Sequence, residues 1–172
     1  MNLKKLSEQK MTTDNFIAVI EIPMGSNIKY ELDKDTETIF VDRFAFTSMG
    51  YPLNYGFVPG TMADDGDPVD VLVLTSTPVN PGCAIKCRVI GMLVMEDEEG
   101  MDEKLLAVPL PKVDAFSAHI QSLDDVTEAV KNKIKHFFER YKELEPGKWV
   151  KVKDWKGRGE AEKYLEKALG KN

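Results

Sequence analysis

The sequence predicts an α+β fold, mainly β, in the form of a small antiparallel barrel with flanking helices. Segments with strand patterning cluster ahead of the helical patterns, and segregation of that kind favours α+β over an alternating parallel architecture. No internal repeat, low-complexity stretch or linker interrupts the 172 residues. That length suits a single domain, 1–172, with a sizeable core.

Phe16 to Ile22 is a nearly continuous apolar run interrupted by Glu21, the pattern of a buried strand. Turn chemistry at Pro23–Asn27 leads into Ile28-Lys29-Tyr30-Glu31-Leu32, whose alternation is that of a half-buried strand with Lys29 and Glu31 on one face. Thr38 to Phe46 reads as a third strand carrying Asp42 and Arg43. Gly50 to Gly60 is aromatic and punctuated by Gly and Pro, too irregular for a helix; it reads as a loop packed on the core, with Tyr55 as a candidate donor to anions. Strands are expected over Pro68–Leu74 and Ala84–Met95. The acidic turn Glu96–Gly100 then leads toward Leu105–Val108, and the period of two places Asp102 and Lys104 on one face. A helix opens at Ser122 with acids in its first turn. It carries an apolar stripe of Val126, Val130, Ile134, Phe137, Phe138 and Tyr141, and stops at Pro146-Gly147. Lys148 to Trp155 reads as one more strand, and Gly159 to Leu169 as a closing helix with Ala161, Tyr164, Leu165 and Leu169 inward.

Composition narrows the function classes. Apolar residues are 42% and charged residues 30%, and the formal net charge is −6. An acidic balance argues against a nucleic-acid or anionic-membrane surface, so neither partner is expected. Met1 to Lys10 lacks the apolar stretch of a signal peptide, and no run approaches the ~20 apolar residues of a membrane span. Cys83 and Cys87, roughly 13 Å apart if on one strand, are too distant for a disulfide. They read as reduced, buried packing residues of a cytoplasmic protein.

The stretch that points to chemistry is Asp64-Asp65-Gly66-Asp67-Pro68-Val69-Asp70. Carboxylates crowded this closely disfavour one another's ionised form, and a hard divalent cation with oxygen ligands relieves the repulsion. Asp65 and Asp70 are candidate ligands, with Asp67 between them free to act on a metal-bound water; a solvated acidic turn is the plainer alternative. Further polar residues sit awkwardly in strand interiors or near turns. The acids are Glu21, Glu31, Asp97 and Asp102; the donors are Lys29, Arg43, Lys104, Lys142, Tyr55 and Tyr141. Many acids among several cations suit a ligand rich in phosphate oxygens, with more than one divalent ion present.

In order along the chain, Glu21…Lys29-Tyr30-Glu31, Val41-Asp42-Arg43, Tyr51-Pro52-Leu53-Asn54-Tyr55-Gly56, Asp65-Gly66-Asp67-Pro68-Val69-Asp70-Val71, Asp97…Gly100…Asp102…Lys104 and His136-Phe137-Phe138…Tyr141-Lys142 resemble the family I soluble inorganic pyrophosphatases of bacterial type. The resemblance runs from about residue 16 to residue 155. It implies a five-stranded OB-like barrel with flanking helices and a homohexamer. It also implies hydrolysis of pyrophosphate with several Mg²⁺ ions, Mn²⁺ or Zn²⁺ being possible substitutes. Carried over residue by residue, Asp65, Asp70, Asp97, Asp102 and Glu31 hold metal and Asp67 accepts the proton of the bridging water. Lys29, Arg43, Tyr55, Lys104, Tyr141 and Lys142 hold the phosphoryl groups, with Glu21 supporting. The first fifteen residues and Lys112–Leu123 fall outside these motifs.

Two other function classes stand beside this one. A nucleotide phosphohydrolase would share the metal chemistry, but the chain has no Gly-rich loop followed by Lys-Ser/Thr. A calcium-binding or OB-type interaction module is opposed by Pro68 where an EF-hand would continue toward its Glu, and by the acidic charge. His119 and His136 read as structural or surface residues.

Overall fold

The computed structural model describes residues 1–64 and 66–170. Five strands close on themselves: β1 (Phe16–Ile22) pairs with β4 (Asn54–Phe57), β4 with β5 (Asp70–Val73), β5 with β7 (Gly100–Pro109), β7 with β6 (Ala84–Asp97), and β6 again with β1. This is the five-stranded, mainly β ring expected from the sequence, with β8 (Val150–Gly157) added at the outer edge of β6. One pairing departs from the antiparallel expectation: β5 and β7 run parallel, with Asp70 opposite Lys104. A separate two-stranded sheet, β2 (Ile28–Asp33) and β3 (Thr38–Phe44), projects beside the ring.

The ring strands read as continuous apolar runs because both of their faces are covered. On one side, α3 (Arg158–Leu169) buries Ala161, Leu165 and Ala168 against Phe16, Ala18, Val71, Val89 and Leu105. On the other, α2 (Glu128–Arg140) buries Ile134, Phe137 and Phe138 against Leu72, Ile90, Leu93 and Leu106. One residue of β6, Ile90, lies between Val89 and Gly91, whereas their partners on β7 are adjacent, so β6 carries a bulge at Ile90. The bulge flips the alternation: Cys87 and Val89 share a core with Met92, while Ile90 shares the opposite core with Leu93 and Met95. Continued by two residues, the second series delivers Asp97 to the side of α2.

Several local expectations are corrected. Asn54–Phe57 is a strand rather than a packed loop, because β1 and β5 flank it and satisfy its backbone. Ser122 caps only a 3₁₀ turn, Leu123–Asp125; the long helix starts later, where the Thr127 hydroxyl accepts from the Val130 amide at 3.4 Å. The buried Val126 between the two separates the turn from the helix. Lys112–Leu123 holds another 3₁₀ turn, Ala115–Ser117, and near the N-terminus lies a short helix, α1 (Leu3–Ser7), which no sequence pattern announced. Both cysteines are free thiols, but only Cys87 is buried; Cys83 lies in the turn before β6 and is exposed. His119 and His136 are both exposed.

The β1–β4 seam has room for hydrogen only at Gly56, where an added Cβ would lie 1.9 Å from the Val19 carbonyl oxygen. Backbone on both sides cannot yield without opening the ring. Gly56→Ala should therefore cost about 3 kcal/mol or more, read as a lowered midpoint in urea denaturation; an unchanged midpoint would show that the seam gives way easily.

Candidate active site

Every described member of the sequence-derived set lines one cavity of about 590 Å³. Asp65, a proposed metal ligand, lies outside the described residues. The wall is assembled from ends of elements. Glu21 stands near the end of β1, Lys29 and Glu31 alternate on β2, Arg43 is on β3 and Tyr55 on β4. Asp67 occupies the loop before Asp70 at the start of β5. Asp97 closes β6, Asp102 and Lys104 sit on β7, and Tyr141 and Lys142 follow directly on α2.

At the floor, the parallel register places Asp70 beside Lys104, and the two-residue period turns Asp102 the same way. Lys104 Nζ donates to Asp70 Oδ2 and to Asp102 Oδ1, each at 2.6 Å, while the residue is only 4% exposed. Burial alone would lower the Lys104 pKa, but the two carboxylates outweigh it and the ammonium is held well above its usual range. Burial raises Asp102, helped by the charges of Asp70 and Asp97 and resisted by Lys104. Burial would likewise raise Asp97, but a 2.9 Å hydrogen bond from Lys142 Nζ and another from the Glu99 amide bring it below its usual range.

Aromatic packing sets the phenols. The Tyr51 ring lies 4.7 Å from that of Phe137 and 5.5 Å from that of Tyr55, and Phe137 stacks on Tyr141 at 5.0 Å. Burial raises the pKa of both Tyr55 and Tyr141, so each keeps its proton and can donate it in a hydrogen bond.

On the hairpin wall, Lys29 is opposite Arg43 while Tyr30 is opposite Val41, which makes Asp42 an extra, bulged residue. The bulge turns Asp42 toward the same side as its neighbour, and its Oδ2 receives Lys29 Nζ and Arg43 Nη1, each at 2.9 Å. The Lys29 hydrogen bond in particular holds the Asp42 carboxyl below its usual range. At the rim, Lys34 Nζ lies 2.8 Å from Asp67 Oδ1. Lys34, Asp42, Tyr51 and Lys148, which pairs with Glu98 beside Asp97, were absent from the sequence-derived set. Asp42 and Tyr51 lie inside the motifs quoted for the resemblance, whereas Lys148 follows the Pro146-Gly147 break and had only that proximity as a signal. Lys34, past the end of the alternating run, carried none.

The donor set fits a divalent cation. It is composed of carboxylate oxygens, the preference of hard ions, and burial, with neighbouring carboxylates adding to it, raises Asp102 and Glu21. Among the described residues no three acidic, His or Cys side chains form a ready-made cage. Lys104 occupies the space between Asp70 and Asp102 as an internal counter-ion.

Glu21 shows the cost of this burial most clearly. Its Oε1 accepts from the Leu32 amide at 2.9 Å, yet burial, with Asp70 and Glu31 nearby, raises its pKa from 4.5 to about 7. A carboxyl with a raised pKa binds its proton more tightly folded than unfolded, so its contribution is full below pH 4.5 and is lost as pH rises through 7. Glu21→Gln keeps the acceptor without the charge. In EDTA-treated protein it should leave stability at pH 4.5 nearly unchanged and raise it by about 2–3 kcal/mol at pH 8. Urea denaturation at the two pH values measures this, and an equal effect at both would remove the charge from the explanation.

A family model described as inorganic pyrophosphatase matches residues 18–171. Curated inorganic pyrophosphatases of Aquifex pyrophilus and Campylobacter jejuni are 57% and 56% identical to the chain over 169 residues each. These alignments cover 98% of this chain and 96% and 98% of the two relatives. Among solved structures, the Thermus thermophilus inorganic pyrophosphatase superposes with a TM-score of 0.94 at 44% identity, covering 99% of this chain and 98% of that one. The Helicobacter pylori enzyme gives 0.92 at 48%, covering 95% and 98%. Sequence match over nearly the whole length and a shared backbone course agree, and the chain belongs to the inorganic pyrophosphatase family.

Proposed function

We propose that this chain hydrolyses inorganic pyrophosphate to two phosphates, drawing pyrophosphate-releasing biosynthetic reactions forward. The observation that carries the reading is the convergence of acids with Lys29, Arg43, Lys104 and Lys142 on one cavity, in a chain whose relatives are named inorganic pyrophosphatases. Asp65, Asp70, Asp97, Asp102 and Glu31 would hold divalent cations, Mg²⁺ first, with Mn²⁺ or Zn²⁺ as substitutes. Such ions supply acidification of water and neutralisation of phosphate charge.

The remaining steps belong to side chains. Arg43, Lys29, Lys104 and Lys142 balance the phosphate oxygens, and the protonated Tyr55 and Tyr141 donate to them. A water oxygen bonds to one phosphorus and the bridging P–O bond breaks, its electron pair leaving on the second phosphate. Asp67 accepts the proton of the attacking water. Its rim position lets the proton pass to solvent, and Lys34 pairs with its carboxylate there. Glu21 supports the site by joining β1 to β2. Family membership also supports a single pyrophosphatase domain assembled as a homohexamer in the cytoplasm. No helix among the described residues is long and apolar enough to cross a membrane.

Phosphate release from pyrophosphate and from ATP, each with Mg²⁺ and with EDTA, tests the reading. Strong release from pyrophosphate, abolished by EDTA and far weaker from ATP, is expected; a preference for ATP would move the assignment to nucleotides. Asp67→Asn should lower kcat about 10²-fold or more at neutral pH while leaving urea stability and Mg²⁺ binding by calorimetry close to wild type. Unaltered turnover would take the proton-acceptor role from Asp67.

A further inference from the structure

We propose that Glu145 is a positioning residue of this site, a carboxylate behind the cavity wall that fixes the Arg43 guanidinium for the phosphate. The proposal rests on the pyrophosphatase reading and adds to it a residue outside every motif quoted above. Glu145 Oε1 lies 3.3 Å from Arg43 Nε, and the glutamate side chain is only 12% exposed. It belongs to the turn after α2, where its neighbours Leu144 and Pro146 are exposed. A glutamate directed inward from such a turn gives up hydration, which contact with a guanidinium offsets.

The position is what separates Glu145 from the groups around the ligand. Arg43 lines the main cavity and also a small adjoining one of about 20 Å³, formed with Tyr51, Phe137, Tyr141 and Glu145. Glu145 lines only the latter, so it approaches Arg43 from behind. The guanidinium has five N–H donors in a rigid fork. Among the described residues, carboxylates reach it at Nε from Glu145 and at Nη1 from Asp42. Arg43 also lines the main cavity, where phosphate oxygens would meet it.

The pair also spans two bodies. Arg43 belongs to the β2–β3 hairpin, which shares no ladder with the six-stranded sheet. Glu145 is tied by its amide to the Lys142 carbonyl at 2.9 Å, on the turn that carries Tyr141 and Lys142. The ion pair therefore links two walls that would grip the same anion, beside the Glu21–Leu32 bond that ties the hairpin to β1. Misplacing a binding group by an ångström is costly to rate.

A double-mutant cycle with Arg43→Ala tests this, with Mg-pyrophosphate as substrate. Glu145→Ala should lower kcat/KM at least tenfold in the wild-type background and less than twofold in the Arg43→Ala background. Glu145→Gln, which keeps an acceptor but loses the charge, should fall between wild type and Glu145→Ala and carries the same cycle if the alanine variant does not fold. Equal losses in both backgrounds would indicate a role in the turn alone and overturn the proposal, as would near wild-type kinetics of Glu145→Ala. Should the wild-type chain release no phosphate from pyrophosphate, the functional reading falls and this proposal with it; a failed cycle in an active enzyme removes Glu145 only.

Discussion

A lysine ammonium shut between two carboxylates at the bottom of the cavity is the constraint on which the remaining geometry depends. Taking such charges from water costs several kcal/mol per ion, and Lys104 recovers it only because Asp70 and Asp102 both stand 2.6 Å away. That distance follows from strand register. β5 and β7 run parallel with Asp70 opposite Lys104, and a slip of one residue would turn every side chain of the strand to the other face. The apolar residues that follow, Val71 and Leu72 on β5 and Leu105 and Leu106 on β7, are fully buried on opposite faces and hold that register. Core packing and site electrostatics are thus one problem with one solution.

Lys104 also explains how the protein tolerates an acidic cavity before a cation arrives. Its single charge offsets part of that of the two central carboxylates from within, while Lys142 pairs with Asp97 and Lys29 with Asp42. Burial first, and the neighbouring carboxylates after it, leave Glu21 and Asp102 raised. A site prepared in this way has residual negative potential without the repulsion that would force it open, which suits exchangeable divalent ions.

Irregularities in the ladders do the aiming. The bulge at Ile90 carries Asp97 to the side of α2, where Lys142 meets it, and the bulge at Asp42 brings two adjacent side chains to one face of a strand. The aromatic group of Tyr51, Phe137 and Tyr141 then locks the end of α2 against β4, and Glu145 reaches from the same end to the hairpin. Each device is a small departure from regular structure, and each ends on a residue of the cavity wall.

How much of this could be read in advance depended on range. Alternation over Ile28–Leu32, the stripe from Val126 to Tyr141 and the spacing of Asp102 and Lys104 are relations among residues two to four apart, written into the chain by the periods of strand and helix. With the resemblance carried by the motifs, they were enough to name the acids, lysines and tyrosines that the fold brings together. The parallel β5–β7 pairing, the strand at Asn54–Phe57, the cap at Thr127, the Lys34–Asp67 pair and the inward turn of Glu145 were not legible. They are decided by which distant surfaces close over one another. A bulge or a register has no local signature when both faces of a strand are apolar, so only the packed structure could select it.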